Sequence, residues 1–357
     1  MSRTFIISRT DAIGDVVLTL PVAGVLRELY PDARIIFLGR SYTEDLIKAC
    51  IFVDEFLNWD QLQQLPYDDA VQRMADTGAD TILHILPRPE IARMARKAGI
   101  KERIGTTNRL YHWWYCNKLV RLSRKNSPYH EAQLNLRLLQ PLGAQDLYSI
   151  QDIGDYYGLS RLAPLPPEIE ARLDRSRFNL ILHPRSRGHG REWGLDYYKQ
   201  LIGLLPEDRF KVFITGTSAE GIQLEPLLEA CASATDMTGS MNLGQFITFI
   251  SRADGLLASG TGPLHLAAAL GIHALGIFPP LRPIHPGRWA PIGPKARALV
   301  KDIDCRACRK TMDCSCIRDI LPAQVKDYWF SCLSNELGAL SLNGASPAAD
   351  PVPGPLK

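Results

Sequence analysis

Short β-rich runs followed by helical runs occur as two separate series along the chain, and this pattern constrains the fold more than any other feature. The first series is Thr4–Ser8, Asp15–Leu29, Arg34–Leu38, Tyr42–Ala49, Thr81–Leu86 and Pro89–Ala98. Strands that alternate with helices form parallel sheets covered by helices, because a parallel pair needs a crossover connection. After Leu142-Gly143 the pattern lapses, and Ser160–Pro167 (SRLAPLPP) has the proline content of an interdomain linker. It resumes with strands expected at Asn179–His183, Lys211–Thr215, Asp254–Ala258 and Ala274–Phe278, and helices at Leu195–Leu205, Glu220–Ala232 and Pro263–Leu270. Two doubly wound α/β units in tandem follow, over residues 1–160 and 161–336. The 357 residues suffice for both cores at ~150 residues per domain. The last stretch, 337–357, is expected as a disordered tail, since Asn343–Lys357 holds four prolines and no aromatic residue.

The formal charge of +3 is too small for general nucleic-acid binding. It hides a local patch: Arg88–Lys125 carries eleven Lys or Arg against only Glu90 and Glu102, so this segment suits anions. The opening MSRTFIISRTD has too short an apolar stretch for a secretory signal, which points to the cytoplasm. In that compartment eight cysteines are poor grounds for disulfides.

Ligands of open α/β sheets bind outside the carboxyl ends of strands, so chemistry is sought in the loops there. The first such loop is Arg9-Thr10-Asp11-Ala12-Ile13-Gly14-Asp15. Gly14 permits a tight turn, and Asp15 either caps the following helix, the reading that spacing favours, or points into the cleft as a base. The second loop, His183–Trp193, contains Arg185, Arg187, Arg191, two histidines and two glycines. That set suits a diphosphate, because guanidinium groups grip phosphate oxygens bidentately. A solvated basic loop is the plain alternative, which Trp193 opposes. The third loop, Ser259–His265, leaves helix N-terminal amides open to an anion. His265 either adds a donor there or packs in the core. An acidic loop in the first unit faces two anion sites in the second, as a phosphorylated donor facing an acceptor with a base would require.

At these positions the sequence resembles glycosyltransferase family 9, the bacterial ADP-heptose:lipopolysaccharide heptosyltransferases. The matching pieces are GDVVLTLPV at Gly14–Val22, RIG at Arg103–Gly105, HEAQLNLRLLQPLG at His130–Gly143, the HPRSRGHGREW loop, and SGTGPLHLAAALG at Ser259–Gly271. The resemblance implies a GT-B architecture, two Rossmann-like domains facing across a cleft, with the acceptor on the first and the nucleotide-sugar on the second. It places the general base on Asp15 and a donor-phosphate contact on Arg191, where the family usually has Lys. Thr261, Gly262 and His265 fall on its diphosphate loop, Arg9 and Arg103 with Gly14 on the acceptor side, and Glu220 near the donor ribose. Where the family pattern begins that diphosphate loop with Asp, this chain has Gly260.

The implied reaction is inverting transfer of heptose from ADP-heptose to the lipopolysaccharide inner core. Arg185, Arg187 and Arg191 would neutralise the leaving diphosphate, so no divalent metal or other cofactor is required. The basic segment would face Kdo carboxylates and lipid A phosphates at the inner membrane surface, making the protein cytoplasmic and peripheral to that membrane. Tyr111–Tyr115 (YHWWY) either packs on the domain or contacts sugars or lipid. Transfer of another sugar and a non-catalytic binding homologue are the alternatives. Cys305, Cys308, Cys314 and Cys316 match a zinc set in number but not in spacing, so structural zinc, disulfides and plain packing stay open.

Overall fold

The computed structural model describes residues 3–343 except 126, 187, 189, 302, 306, 307 and 309–314, with the backbone alone for 335–343. Six parallel strands build a first sheet: β1 Thr4–Ser8, β2 Arg34–Gly39, β3 Glu55–Asn58, β4 Thr81–His84, β5 Glu102–Thr106 and β6 Lys118–Val120. Six more build a second: β7 Phe178–His183, β8 Phe210–Ile214, β9 Thr235–Asp236, β10 Gly255–Ser259, β11 His273–Phe278 and β12 Ala296–Val300. Their orders are β3-β2-β1-β4-β5-β6 and β12-β11-β10-β7-β8-β9, the same doubly wound order twice. Strand order therefore reverses beside β1 in one sheet and beside β7 in the other, and crevices open at such switch points.

The central strands are apolar throughout because helices cover both faces of each sheet. FNLILH of β7 and GLLAS of β10 are wholly buried. One apolar cluster joins both units, with Val16 and Leu20 of the first in the same core as Leu264, Leu266 and Ile250 of the second. The units are thus packed together rather than tethered.

Three expectations are corrected. The helix read over Asp15–Leu29 is two, Ile13–Val17 and Leu20–Leu29, because Pro21 lacks the N–H that a continuous helix would use. Strands β3, β5, β6, β9 and β12 were not read as strands; most are short and partly polar. The final helix, Pro322–Asn343, runs into the segment expected as a tail, since NELGALSLN continues a helix-compatible sequence. The rest of that tail, 344–357, lies outside the described residues. No helix among the described residues is long and apolar enough to cross a membrane.

Candidate active site

The loops after β1, β7 and β10 meet in one cleft of about 820 Å3 lined by both units. Gly14 and Asp15 come from the first, and Arg185, Arg191, Glu220, Thr261, Gly262 and His265 from the second. The two sides touch at glycines. A β-carbon on Gly14 would lie 3.0 Å from His265 Cδ2, and one on Gly262 would lie 2.8 Å from the Ile13 side chain. Only hydrogen at both positions lets the helices Ile13–Val17 and Gly262–Ala269 bring their N-termini together.

Asp15 does not cap its helix. Ala12 holds the N-cap position and supplies no side-chain bond, while the Asp15 carboxylate accepts from Arg9 Nη2 and keeps part of its surface open to the cleft. Arg9 itself is buried, 3% exposed. It also donates from Nε to Asp11 Oδ1 at 2.7 Å, and from Nη1 to Glu131 Oε1 at 3.3 Å and Asn135 Oδ1 at 3.5 Å. So Arg9, expected on the acceptor side, is buried and spends its guanidinium on orienting the acidic loop.

Glu131, 1% exposed, joins the two domains. It accepts from Arg124 Nε at 2.9 Å and from Arg288 Nη2 of the second domain at 2.7 Å. Burial alone would raise its pKa, yet Arg124, Arg9 and Arg288 together hold it at about 2. Asp15 goes the other way. Burial pushes it up to about 6, helped by Asp11 and Glu131 and opposed by Arg9. A carboxylate with that value is ionised at neutral pH and is a far stronger base than an ordinary aspartate.

Across the cleft the loop after β7 is a stapled structure. Glu192 accepts from Arg185 Nη1 at 2.8 Å and from the Ser186 backbone at 2.8 Å, and Trp193 is buried with its Nε1 on the Ile320 carbonyl at 2.8 Å. The described part of this loop is therefore packed rather than solvated. Arg191 is buried and donates from Nη2 to the Cys308 carbonyl at 2.8 Å. Arg187 lies outside the described residues. Glu220 lines the cleft, but its Oε2 closes a capping box with Thr217, taking the backbone N–H at 2.7 Å and the hydroxyl at 2.8 Å.

The turn after β10 leads into the helix Gly262–Ala269, whose N-terminal amides open to the cleft. Thr261 Oγ1, Ser259 Oγ and His265 Nδ1 are buried there with no hydrogen-bond partner among the described residues. Burial, with His130 adding to it, pushes His265 down to about 3, so this imidazole is neutral and offers a hydrogen bond rather than a charge. A β-carbon on Gly260 would lie 2.6 Å from the Phe278 ring, so an aromatic face stands where the family pattern has a carboxylate.

Arg103 is placed elsewhere. It sits at the amino end of β5, away from the cleft, and donates to the carbonyls of Tyr115 at 2.7 Å and Lys101 at 3.3 Å. Expected on the acceptor side, it is outside the cleft lining and ties backbone carbonyls instead. Among the other basic residues, Arg88 donates to Thr10 Oγ1 at 2.6 Å behind the acidic loop. The short helix His112–Tyr115 buries His112 and leaves Leu110, Trp113 and Trp114 exposed at 78%, 60% and 66%. Glu131, Asn135 and Arg288 are site residues that sequence reading missed, although Glu131 and Asn135 lay within a quoted motif.

A base poised near neutrality, set beside helix amides and a guanidinium, suits proton removal from a hydroxyl while an anion departs. The profile of "Glycosyltransferase family 9 (heptosyltransferase)" matches residues 92–316. A Haemophilus influenzae protein described no further than as a glycosyltransferase is 25% identical, covering 80% of this chain and 85% of that one. The lipopolysaccharide core heptosyltransferase OpsX of the same organism is 20% identical over 77% of this chain and 79% of its own. The solved ADP-heptose lipopolysaccharide heptosyltransferase II of Escherichia coli superposes with a TM-score of 0.73 at 18% identity, covering 94% of this chain and 99% of that one.

Proposed function

The chain belongs to glycosyltransferase family 9 and is a glycosyltransferase, and from that premise we propose that it moves heptose from ADP-heptose to the inner core of lipopolysaccharide with inversion. Asp15 Oδ takes the proton of an acceptor hydroxyl as that oxygen bonds to the anomeric carbon. The bond from this carbon to the diphosphate oxygen breaks, and the electron pair leaves with ADP. Developing charge on the diphosphate falls against Arg191, the Gly262 amide region and the Thr261 hydroxyl, with Arg185 at the cleft wall. Charge stabilised in that way needs no divalent metal.

The observation that carries the reading is the meeting of Asp15 and the Gly262–Ala269 helix N-terminus in one cleft, held by the Gly14 contact with His265. The test is incubation with ADP-heptose and lipopolysaccharide cores truncated at successive sugars, read by mass spectrometry. A gain of one heptose on one acceptor is expected. No gain on any acceptor while ADP-heptose still binds overturns the assignment. Gly260 against Phe278 favours one second reading, the same transfer from another nucleotide-sugar, and the same assay with a donor panel separates the two.

The acceptor is proposed to be reached from the cytoplasmic face of the inner membrane. Leu110, Trp113 and Trp114 project beside Arg96 and Arg109, and aromatic side chains with nearby cations suit the boundary of an anionic bilayer.

A further inference from the structure

Behind the donor side of the cleft, three thiols come together. The Sγ atoms of Cys305, Cys308 and Cys316 all lie within 4.8 Å of one another, and Cys308 and Cys316 are 2.9 Å apart. Cys308 and Cys316 are fully buried, Cys305 partly. Thiolates bound to one tetrahedral ion at ~2.3 Å sit ~3.8 Å from each other, within this range. Cys314 lies outside the described residues and is not counted in the site.

We propose that Cys305, Cys308 and Cys316 bind one thiolate-preferring metal ion of the zinc and iron class, which braces the donor side of the cleft. The cluster packs against Leu281, close to Pro279 and Pro283 of the cleft lining. The carbonyl of Cys308 accepts from Arg191 Nη2 at 2.8 Å, so whatever fixes Cys308 also fixes Arg191. A metal ion is suited to that task. Soft thiolates select such ions over calcium or magnesium, and the burial of Cys308 and Cys316 keeps the ion inside the fold, as a structural role requires. The ion is separate from the transfer chemistry, which draws its positive charge from protein groups. That Arg191 meets the donor rests on the proposed function; the metal site does not.

The experiment is native mass spectrometry with elemental analysis on the whole chain, purified in reducing buffer without chelator. One zinc or iron per chain is expected, and the elemental arm says which. A chain at its apo mass overturns the proposal. So does one about 2 Da lighter, the signature of a Cys308–Cys316 disulfide. Cys305→Ser changes a partly exposed position that the fold tolerates, and its metal should be lost to a chelator at least ~10-fold faster; an unchanged rate removes Cys305 from the site. For the bracing role, ADP is titrated into the loaded chain and into the chain stripped by chelator, with circular dichroism checking that the stripped chain stays folded. Weaker ADP binding after stripping, restored by the metal and absent in Arg191→Ala, is expected. Equal binding in both states overturns the bracing role and leaves the metal count standing. If ADP binds neither form, the donor reading fails instead.

Discussion

Arg288 of the second domain donates two hydrogen bonds to one oxygen of Glu131 in the first, at 2.7 and 3.1 Å, while the other Glu131 oxygen faces Arg124 and Arg9. Because Arg9 also holds Asp15, a chain of alternating charges runs from the proposed base to the facing domain. Each member is held by neighbours of opposite sign, and one link of the chain that orients the base, Glu131–Arg288, forms only when both domains are packed together.

Glu131→Gln leaves three guanidinium groups facing a neutral amide in a buried place. Breaking a buried ion network in this way costs ~3–5 kcal/mol. Denaturant unfolding should show a loss of that order. Glu131 also pushes the Asp15 pKa up, so its removal should move the acid limb of the rate profile to lower pH. An acid limb that stays in place would show that Glu131 does not reach the base electrostatically.

Asp15→Asn removes the base and keeps the shape. General-base contributions of ~10²–10⁴-fold set the expected loss of kcat, with ADP-heptose affinity nearly unchanged. In the wild-type protein, kcat/KM should fall with unit slope below about pH 6, where Asp15 takes up its proton. Turnover equal to wild type in the Asn variant would move the base to another residue.

Most of the fold was legible because parallel strands buried on both faces are continuous apolar runs. β1, β7 and β10, which position the site, are of that kind. Short edge strands such as β9, with two residues, owe their pairing to the sheet already beside them and leave no periodic trace. The cleft-forming loops were legible where two elements must approach closely and only glycine fits, as at Gly14 and Gly262. The site was not legible at the Glu131–Arg288 pair, whose two members are 157 residues apart in the chain. Arg9 shows the converse: a basic residue in a suggestive motif can be engaged by the protein itself, and only three-dimensional placement tells which.

Buried histidines should make the fold acid-sensitive. Burial comes first among the causes that push His84 and His265 down to about 3 and His130 to about 4, against 6.5 for a free imidazole. The unfolded chain therefore binds more protons than the folded one as pH drops below about 6.5, and stability is lost progressively toward those lower values. Asp15 acts in the opposite sense, since its folded value exceeds 3.8 and its ionisation between there and about 6 weakens the fold. Three groups outweigh one, so Tm should fall steadily from pH 7 to pH 4.5. A flat Tm over that range would show the three imidazoles to be solvated.

Gly260→Asp restores the family pattern but drives a side chain into Phe278, where even a β-carbon would be 2.6 Å from the ring. Overpacking of this kind costs ~1–3 kcal/mol. Phe278→Ala alone should cost ~3–5 kcal/mol through the cavity it opens. The double variant should be less destabilised than the two single effects summed, because the cavity accepts the new carboxylate; a thermal-melt cycle reads this coupling. Strict additivity would mean that the ring and residue 260 do not share space.

Trp113→Ala and Trp114→Ala together remove the exposed aromatic surface of this patch without touching the cleft. Both side chains are more than half exposed, so the fold should be little affected. If the patch enters the boundary of an anionic bilayer, cosedimentation with phosphatidylglycerol vesicles should fall severalfold, whereas turnover of a detergent-free, truncated core oligosaccharide should not change. The basic residues would still draw the protein to the surface, so residual binding should become strongly salt-dependent as the apolar share is lost. Vesicle binding equal to wild type would assign the two tryptophans a role other than lipid contact.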